Sequence, residues 1–187
     1  MILCTNPKAQ YLSYKDEIKD AIDHVLESGW YILGEEVKAF ESEFANFVGT
    51  QYAIGVASGT DALILSIKAM NIGSGDEVIT SSHTALATVS AIESTGAKAV
   101  FVDIEEAYFT IDVTKVEAVI TPKTKAIVAV HIYGQPCDMQ HLEEISKRHN
   151  LLLIEDCAQA SGAKYSDNEV GSMGNVGCFS FFPTKNL

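Results

Sequence analysis

Apolar residues recur first at helical spacing along this chain. Ile18, Ala21, Ile22, Val25 and Leu26 fall on one face of a helix predicted over residues 14–28, and Gly29 ends it. Val37, Phe40, Phe44 and Phe47 repeat the pattern over residues 35–48. The rhythm then changes. Short apolar runs predict strands at 52–56, 77–80, 97–102, 126–131, 151–155 and 178–182. Between them lie helical patterns at 61–70, 84–94, 113–120 and 138–149, with Gly73-Ser74-Gly75-Asp76 as a turn. Strands that are apolar on both faces, alternating with amphipathic helices, indicate a three-layer α/β/α fold around a mainly parallel sheet. Right-handed crossovers follow from backbone chirality. No repeat or Pro-rich linker divides the chain, so residues 1–187 read as a single large domain. The end is abrupt: Phe179-Ser180-Phe181-Phe182-Pro183-Thr184-Lys185-Asn186-Leu187 has no closing helix. A sheet ended there would leave an apolar edge, which proteins normally cover, so a truncated domain is expected.

Composition narrows the function classes. The chain has 187 residues, 47% of them hydrophobic, and a formal charge of −12. A phosphate backbone or anionic membrane is met by clustered Lys and Arg, so the acidic balance disfavours both as partners. It leaves room for a small anion held by backbone N–H groups. Cys4, Cys137, Cys157 and Cys178 are far apart and in no zinc-type spacing, which predicts reduced thiols in a cytoplasmic protein and no metal site. The apolar stretches are strand-sized, well short of a membrane span.

In an open parallel sheet ligands gather beyond the carboxyl ends of the strands. The residues following each predicted strand there include Ser58-Gly59-Thr60, His83-Thr84, His131, Tyr133-Gly134-Gln135, Glu155-Asp156 with Gln159, and Ser180 with Lys185. Ser58-Gly59-Thr60-Asp61 opens a helix, where free N–H groups, a positive dipole end and two hydroxyls suit a phosphate. The same residues also suit a plain helix cap. Asp156 offers a carboxylate that would keep a heteroaromatic ring nitrogen protonated, or alternatively would cap a helix. Gln159 lies three residues on, on the same side. Lys185 follows an aromatic run and Pro183; an amine kept from water by such neighbours becomes a nucleophile, while taken alone a lysine there reads as a surface residue.

Taken in order, five motifs resemble the DegT/StrS-type sugar aminotransferases of the aspartate-aminotransferase fold. They are Ser28-Gly29-Trp30-Tyr31-Ile32-Leu33-Gly34, Ala57-Ser58-Gly59-Thr60-Asp61-Ala62-Leu63, Val130-His131-Ile132-Tyr133-Gly134-Gln135-Pro136, Ile154-Glu155-Asp156-Cys157-Ala158-Gln159-Ala160 and the run from Phe179 to Leu187. The resemblance implies pyridoxal 5'-phosphate held as a Schiff base on Lys185. It implies Asp156 on the ring nitrogen, Gln159 on the ring hydroxyl, and Gly59, Thr60 and Ser180 on the phosphate. Trp30 and Tyr31 would lie near the substrate and a partner subunit of a homodimer. Many relatives carry an aromatic residue where this chain has Ala85; His83 is the candidate to stack on the ring instead. The family extends past this lysine, so the small carboxyl-terminal domain is expected to be absent and the piece inactive alone. The implied reaction passes an amino group, from glutamate by family habit, to a keto-sugar nucleotide in amino-deoxysugar biosynthesis. Sugar dehydration is the alternative within the family, but there a histidine replaces the lysine. A non-catalytic or regulatory relative is the other alternative.

Overall fold

A computed structural model describes residues 5–185; Met1 to Cys4, Asn186 and Leu187 lie outside the described residues, and with them the Cys4 thiol and the end of the last motif. The chain divides into two compact units, one ending at Gly55 and one beginning at Val56.

The amino-terminal unit is helical: α1 (Pro7–Ser13), α2 (Lys15–Ser28) and α3 (Glu35–Val48). Asn6 starts α1 by accepting the Ala9 N–H on its side chain, with Pro7 at the first helical position where its missing N–H costs nothing. Gly29 and Gly49 end α2 and α3 in the left-handed conformation (φ 67° and 83°). α1 precedes the first periodic apolar run, which explains why the pattern alone did not predict it. Residues 52–56, expected as a strand, join no ladder, and Tyr52 and Ile54 are 75% and 80% exposed. Apolar alternation does not hold a strand without a partner for its backbone groups, and none of the described strands pairs with it.

The second unit carries the sheet. In chain order its elements are α4 (Gly59–Ala69), β1 (Glu77–Ser81), α5 (Leu86–Ser94), β2 (Lys98–Val102), α6 (Val113–Val116), β3 (Thr124–Val130), α7 (Met139–His149), β4 (Leu152–Asp156), β5 (Lys164–Tyr165), β6 (Asn168–Glu169) and β7 (Val176–Cys178). β5 and β6 form a separate two-residue hairpin. The main sheet runs β2-β1-β3-β4-β7, every pairing parallel. Adjacent residues on a strand serve opposite faces. Val78, Val128 and Ile154 pack with Leu63, Ile67, Ala91 and Ile92 of α4 and α5. Ile79, Ile127 and Leu153 pack with Val116 of α6 and Met139, Leu142 and Ile145 of α7. This is the three-layer α/β/α arrangement that the apolar runs predicted. Fully burying each such aliphatic side chain contributes about 1.5–3 kcal/mol.

Two further expectations shift. The helix expected over 113–120 becomes a single α turn followed by a 3-10 turn at Glu117–Val119. The last strand is Val176–Cys178, not 178–182. β4 ends opposite it at Asp156, so beyond Cys178 no neighbour remains to continue the ladder, and Phe181 and Phe182 are exposed.

The strand order reverses between β1 and β3: the chain moves outward from β1 to β2, then returns to the other side of β1. Crevices outside the carboxyl ends at such a point are where open sheets bind ligands.

Candidate active site

The chain leaves β1 through Ser82-His83-Thr84 and β3 through His131-Ile132-Tyr133, and these two exits meet. His83 Nε2 lies 3.1 Å from the Tyr133 hydroxyl, and the His83 ring centroid is 5.7 Å from that of Tyr133 and 6.5 Å from that of Phe109. Tyr133 and Phe109 hold φ values of 56° and 62°, a region costly for bulky side chains. His83 thus stands just beyond the carboxyl end of β1, with its ring held against Tyr133.

At the end of β4, Asp156 is 6% exposed. Its Oδ2 accepts a 2.7 Å hydrogen bond from the Thr88 hydroxyl of α5, and its Oδ1 accepts the Ala158 N–H at 3.2 Å. No α-helix starts there, so Asp156 is not a helix cap. Gln159 turns its Oε1 to the Tyr133 N–H at 2.9 Å, which commits the oxygen as acceptor and leaves the amide's two N–H donors to point elsewhere.

The start of α4 packs against the segment after β7. A Cβ placed on Gly59 would come within 2.8 Å of the Ser180 Cβ and 3.1 Å of the Phe179 carbonyl oxygen, so only glycine fits. Ser58 does cap the helix: its Oγ accepts the Asp61 N–H at 3.0 Å, while its carbonyl accepts the Ala62 N–H. The N–H groups of Gly59 and Thr60 also lie in this first turn, and a Cβ on Gly59 would be 3.3 Å from the Ser180 hydroxyl oxygen.

Lys185 is half-buried, in a turn whose backbone N–H bonds the Phe182 carbonyl at 2.8 Å. It follows β7, the strand hydrogen-bonded to the one that ends in Asp156, with Asp156 opposite Cys178. Trp30 and Tyr31 belong to the amino-terminal unit and are exposed there; the Trp30 Nε1 donates to the Ile32 carbonyl and Lys38 Nζ sits 5.4 Å from its ring.

Glu155 and His131, which the sequence placed in the same polar set, are instead sealed inside. Both are 0% exposed, with 3.0 Å between Oε2 and Nε2. His131 Nδ1 accepts the Cys137 N–H at 3.0 Å, which assigns the bonding proton to Nε2. Glu155 also accepts the N–H groups of Gly171, Met173 and Gly174 at 2.7, 2.8 and 2.6 Å. Burial pushes this carboxyl up, but the His131 and backbone hydrogen bonds outweigh it and hold the group below its ordinary range. With Cys157 the pair forms a cluster of metal-ligating types within 4.8 Å, yet these hydrogen bonds already occupy both carboxylate oxygens and both ring nitrogens. Leu153 packs on the α7 side of the sheet and Ile154 on the α4–α5 side. Glu155 and Asp156 continue that alternation, so neighbouring carboxylates face opposite layers. Thr88 escaped the sequence analysis. Its signal was present: it stands four residues after Thr84 in the predicted helix, a spacing that puts two hydroxyls side by side.

Residues 13–187 match the profile of the DegT/DnrJ/EryC1/StrS aminotransferase family. The chain belongs to this family. It is 52% identical over 170 residues to the dTDP-3-amino-3,6-dideoxy-alpha-D-galactopyranose transaminase of Aneurinibacillus thermoaerophilus, covering 91% of this chain and 47% of that protein. Among solved structures it resembles S. venezuelae DesV, crystallised in complex with a ketimine intermediate, with a TM-score of 0.96 at 47% identity over 97% of this chain and 49% of that one. It also resembles NtdA of Bacillus subtilis with bound cofactor PMP, with a TM-score of 0.89 at 34% identity over 94% of this chain and 39% of that one. The chain spans about half the length of the curated relatives it matches. Among the described residues, no helix is long and apolar enough to cross a membrane.

Proposed function

We propose that the protein carrying this chain is a pyridoxal-phosphate-dependent aminotransferase that passes an amino group from an amino acid, by family habit glutamate, to a keto-sugar nucleotide. The observation that carries this reading is the convergence at one sheet end of a buried, twice-anchored carboxylate and a helix start where only glycine fits. The residues present fit the cofactor: a seat with no room for a Cβ, an acid with lone pairs to spare, and an amide fixed as a donor.

In this reading the Gly59 and Thr60 N–H groups, the Thr60 hydroxyl and the Ser180 hydroxyl bind the phosphate, where helix-start donors favour negative charge. Asp156 holds a proton on the ring nitrogen, and Gln159 donates to the ring oxygen. His83 lies against the ring face in place of the aromatic residue absent at Ala85. When bound, pyridoxal 5'-phosphate supplies the carbonyl that captures the amine and the ring that takes up the electron pair. Lys185 would hold the group through its amine, and its Nζ would take up the proton from the donor's α-carbon. Trp30 and Tyr31 are proposed to touch the sugar nucleotide. A homodimer and the cytoplasm are the expected setting. Lys185, Asp156 and Gln159 together favour transamination over a dehydratase or a non-catalytic relative.

The deciding experiment is borohydride reduction of the cofactor-loaded protein followed by peptide mapping. The expected result is a pyridoxyl group on Lys185, lost in Lys185→Ala, together with amination of a keto-sugar nucleotide when glutamate is supplied. A label on another lysine, or no label at all, would refute the assignment.

A further inference from the structure

The Asp156 carboxylate is steered from behind by a chain of two hydroxyls. Thr88 Oγ1 is 2.7 Å from Asp156 Oδ2, and Thr84 Oγ1 is 2.7 Å from Thr88 Oγ1. A threonine hydroxyl has one proton to give. Because Thr88 gives its proton to the carboxylate, the proton in the second contact comes from Thr84. The chain therefore runs in one direction, Thr84 to Thr88 to Asp156. Thr88 is 1% exposed, so no water substitutes for it. The Ala158 N–H fixes the other carboxylate oxygen. One protein donor on each oxygen favours a single carboxylate orientation, and each oxygen keeps a lone pair free.

We infer that Thr88 is a positioning residue for Asp156, with Thr84 as the outer link that orients the Thr88 hydroxyl. The inference rests on the proposed function, in which Asp156 holds the ring nitrogen of the cofactor. Packing alone does not account for the arrangement: a valine would fill the same volume on α5 but would leave Oδ2 facing an apolar group.

The test uses the full-length protein and three variants. Pyridoxamine phosphate binding is followed by fluorescence, kcat and KM by steady-state kinetics, and folding by thermal melting. Thr88→Val is expected to weaken cofactor binding about tenfold or more, the size of a lost hydrogen bond to a charged group. It is also expected to lower kcat with little change in the KM of the amino donor. Thr88→Ser, which keeps the hydroxyl and loses the methyl, is expected to stay within about threefold of the parent. Thr84→Val is expected to fall between them, and it decides the matter if Thr88→Val does not fold. The opposite pattern, with Thr88→Val unchanged and Thr88→Ser impaired, would mean that the site is only packed and would overturn the inference. A parent protein that binds no cofactor would instead overturn the proposed function, so the two failures are distinguishable.

Discussion

Gly59 and Ser180 stand so close that a methyl group on the first would sit 2.8 Å from the Cβ of the second. The two residues are far apart in sequence, on the first helix of the second unit and on the segment after its last main-sheet strand. Their contact brings the start of α4 against the segment after β7, where the proposed function puts the cofactor's phosphate.

Gly59→Ala should therefore force the start of α4 and the Ser180 segment apart. The opposing atoms are a Cβ and a backbone carbonyl, neither able to swing aside, so overpacking of about 1–3 kcal/mol is expected. Cofactor affinity should fall at least about tenfold, measured by fluorescence titration, with a smaller loss in melting temperature.

Gln159→Glu separates the two ends of one side chain. The new oxygen can still accept the Tyr133 N–H, but no N–H remains to donate. Folding should be preserved, while binding of the cofactor weakens about tenfold or more from the lost donor and the added negative charge. Unchanged affinity would remove Gln159 from the site.

The Glu155 carboxyl predicts acid sensitivity. Its pKa is held below its ordinary value of 4.5 in the folded protein, after hydrogen bonding outweighs burial. A group depressed on folding contributes stability that is fully present above the unfolded value and is lost as pH falls through the folded one. Stability of the parent should thus decline below about pH 4.5, while Glu155→Gln should be less stable at neutral pH and show a flatter acid limb. Leaving buried N–H groups without a charged acceptor should cost about 3 kcal/mol, read by denaturant titration at pH 7 and pH 4.

Three thiols should be silent in the native protein. Cys137, Cys157 and Cys178 are buried. Burial pushes Cys137 to about 12 and Cys178 to about 11, and raises Cys157 well above its usual range. The thiolate is the reactive form, so alkylation at pH 8 should label these positions only after denaturation, as peptide mapping would reveal.

The alternation of apolar runs and amphipathic helices was sufficient to read the parallel sheet and its two covering layers, because adjacent strand residues such as Val78 and Ile79 both need burial. Strand edges were less legible. Residues 52–56 have the pattern of a strand but no partner among the described strands, and pairing is not written in local sequence. For the site, motif order drew attention to Gly59, Asp156, Gln159 and Ser180, and the structure puts each on the carboxyl side of the sheet. What stayed hidden was the division of labour among polar residues. His131 and Glu155 stood in the same polar set as the candidate contacts, but Glu155 accepts the N–H groups of a buried turn and His131 braces it, whereas Thr88, which the sequence did not single out, donates to Asp156. Such roles depend on which face of an element a residue occupies and what crosses from 68 positions away.

Glu155 and Asp156 divide their duties by the pleat of β4, one acid fastening the Gly171–Gly174 turn beneath the sheet and the other turned toward α5 above it. Inserting or deleting a single residue within that strand would exchange the two acids, sealing Asp156 inside and leaving the turn's donors bare. The dipeptide thus works as a phase marker: length changes in β4 are tolerable only in steps of two.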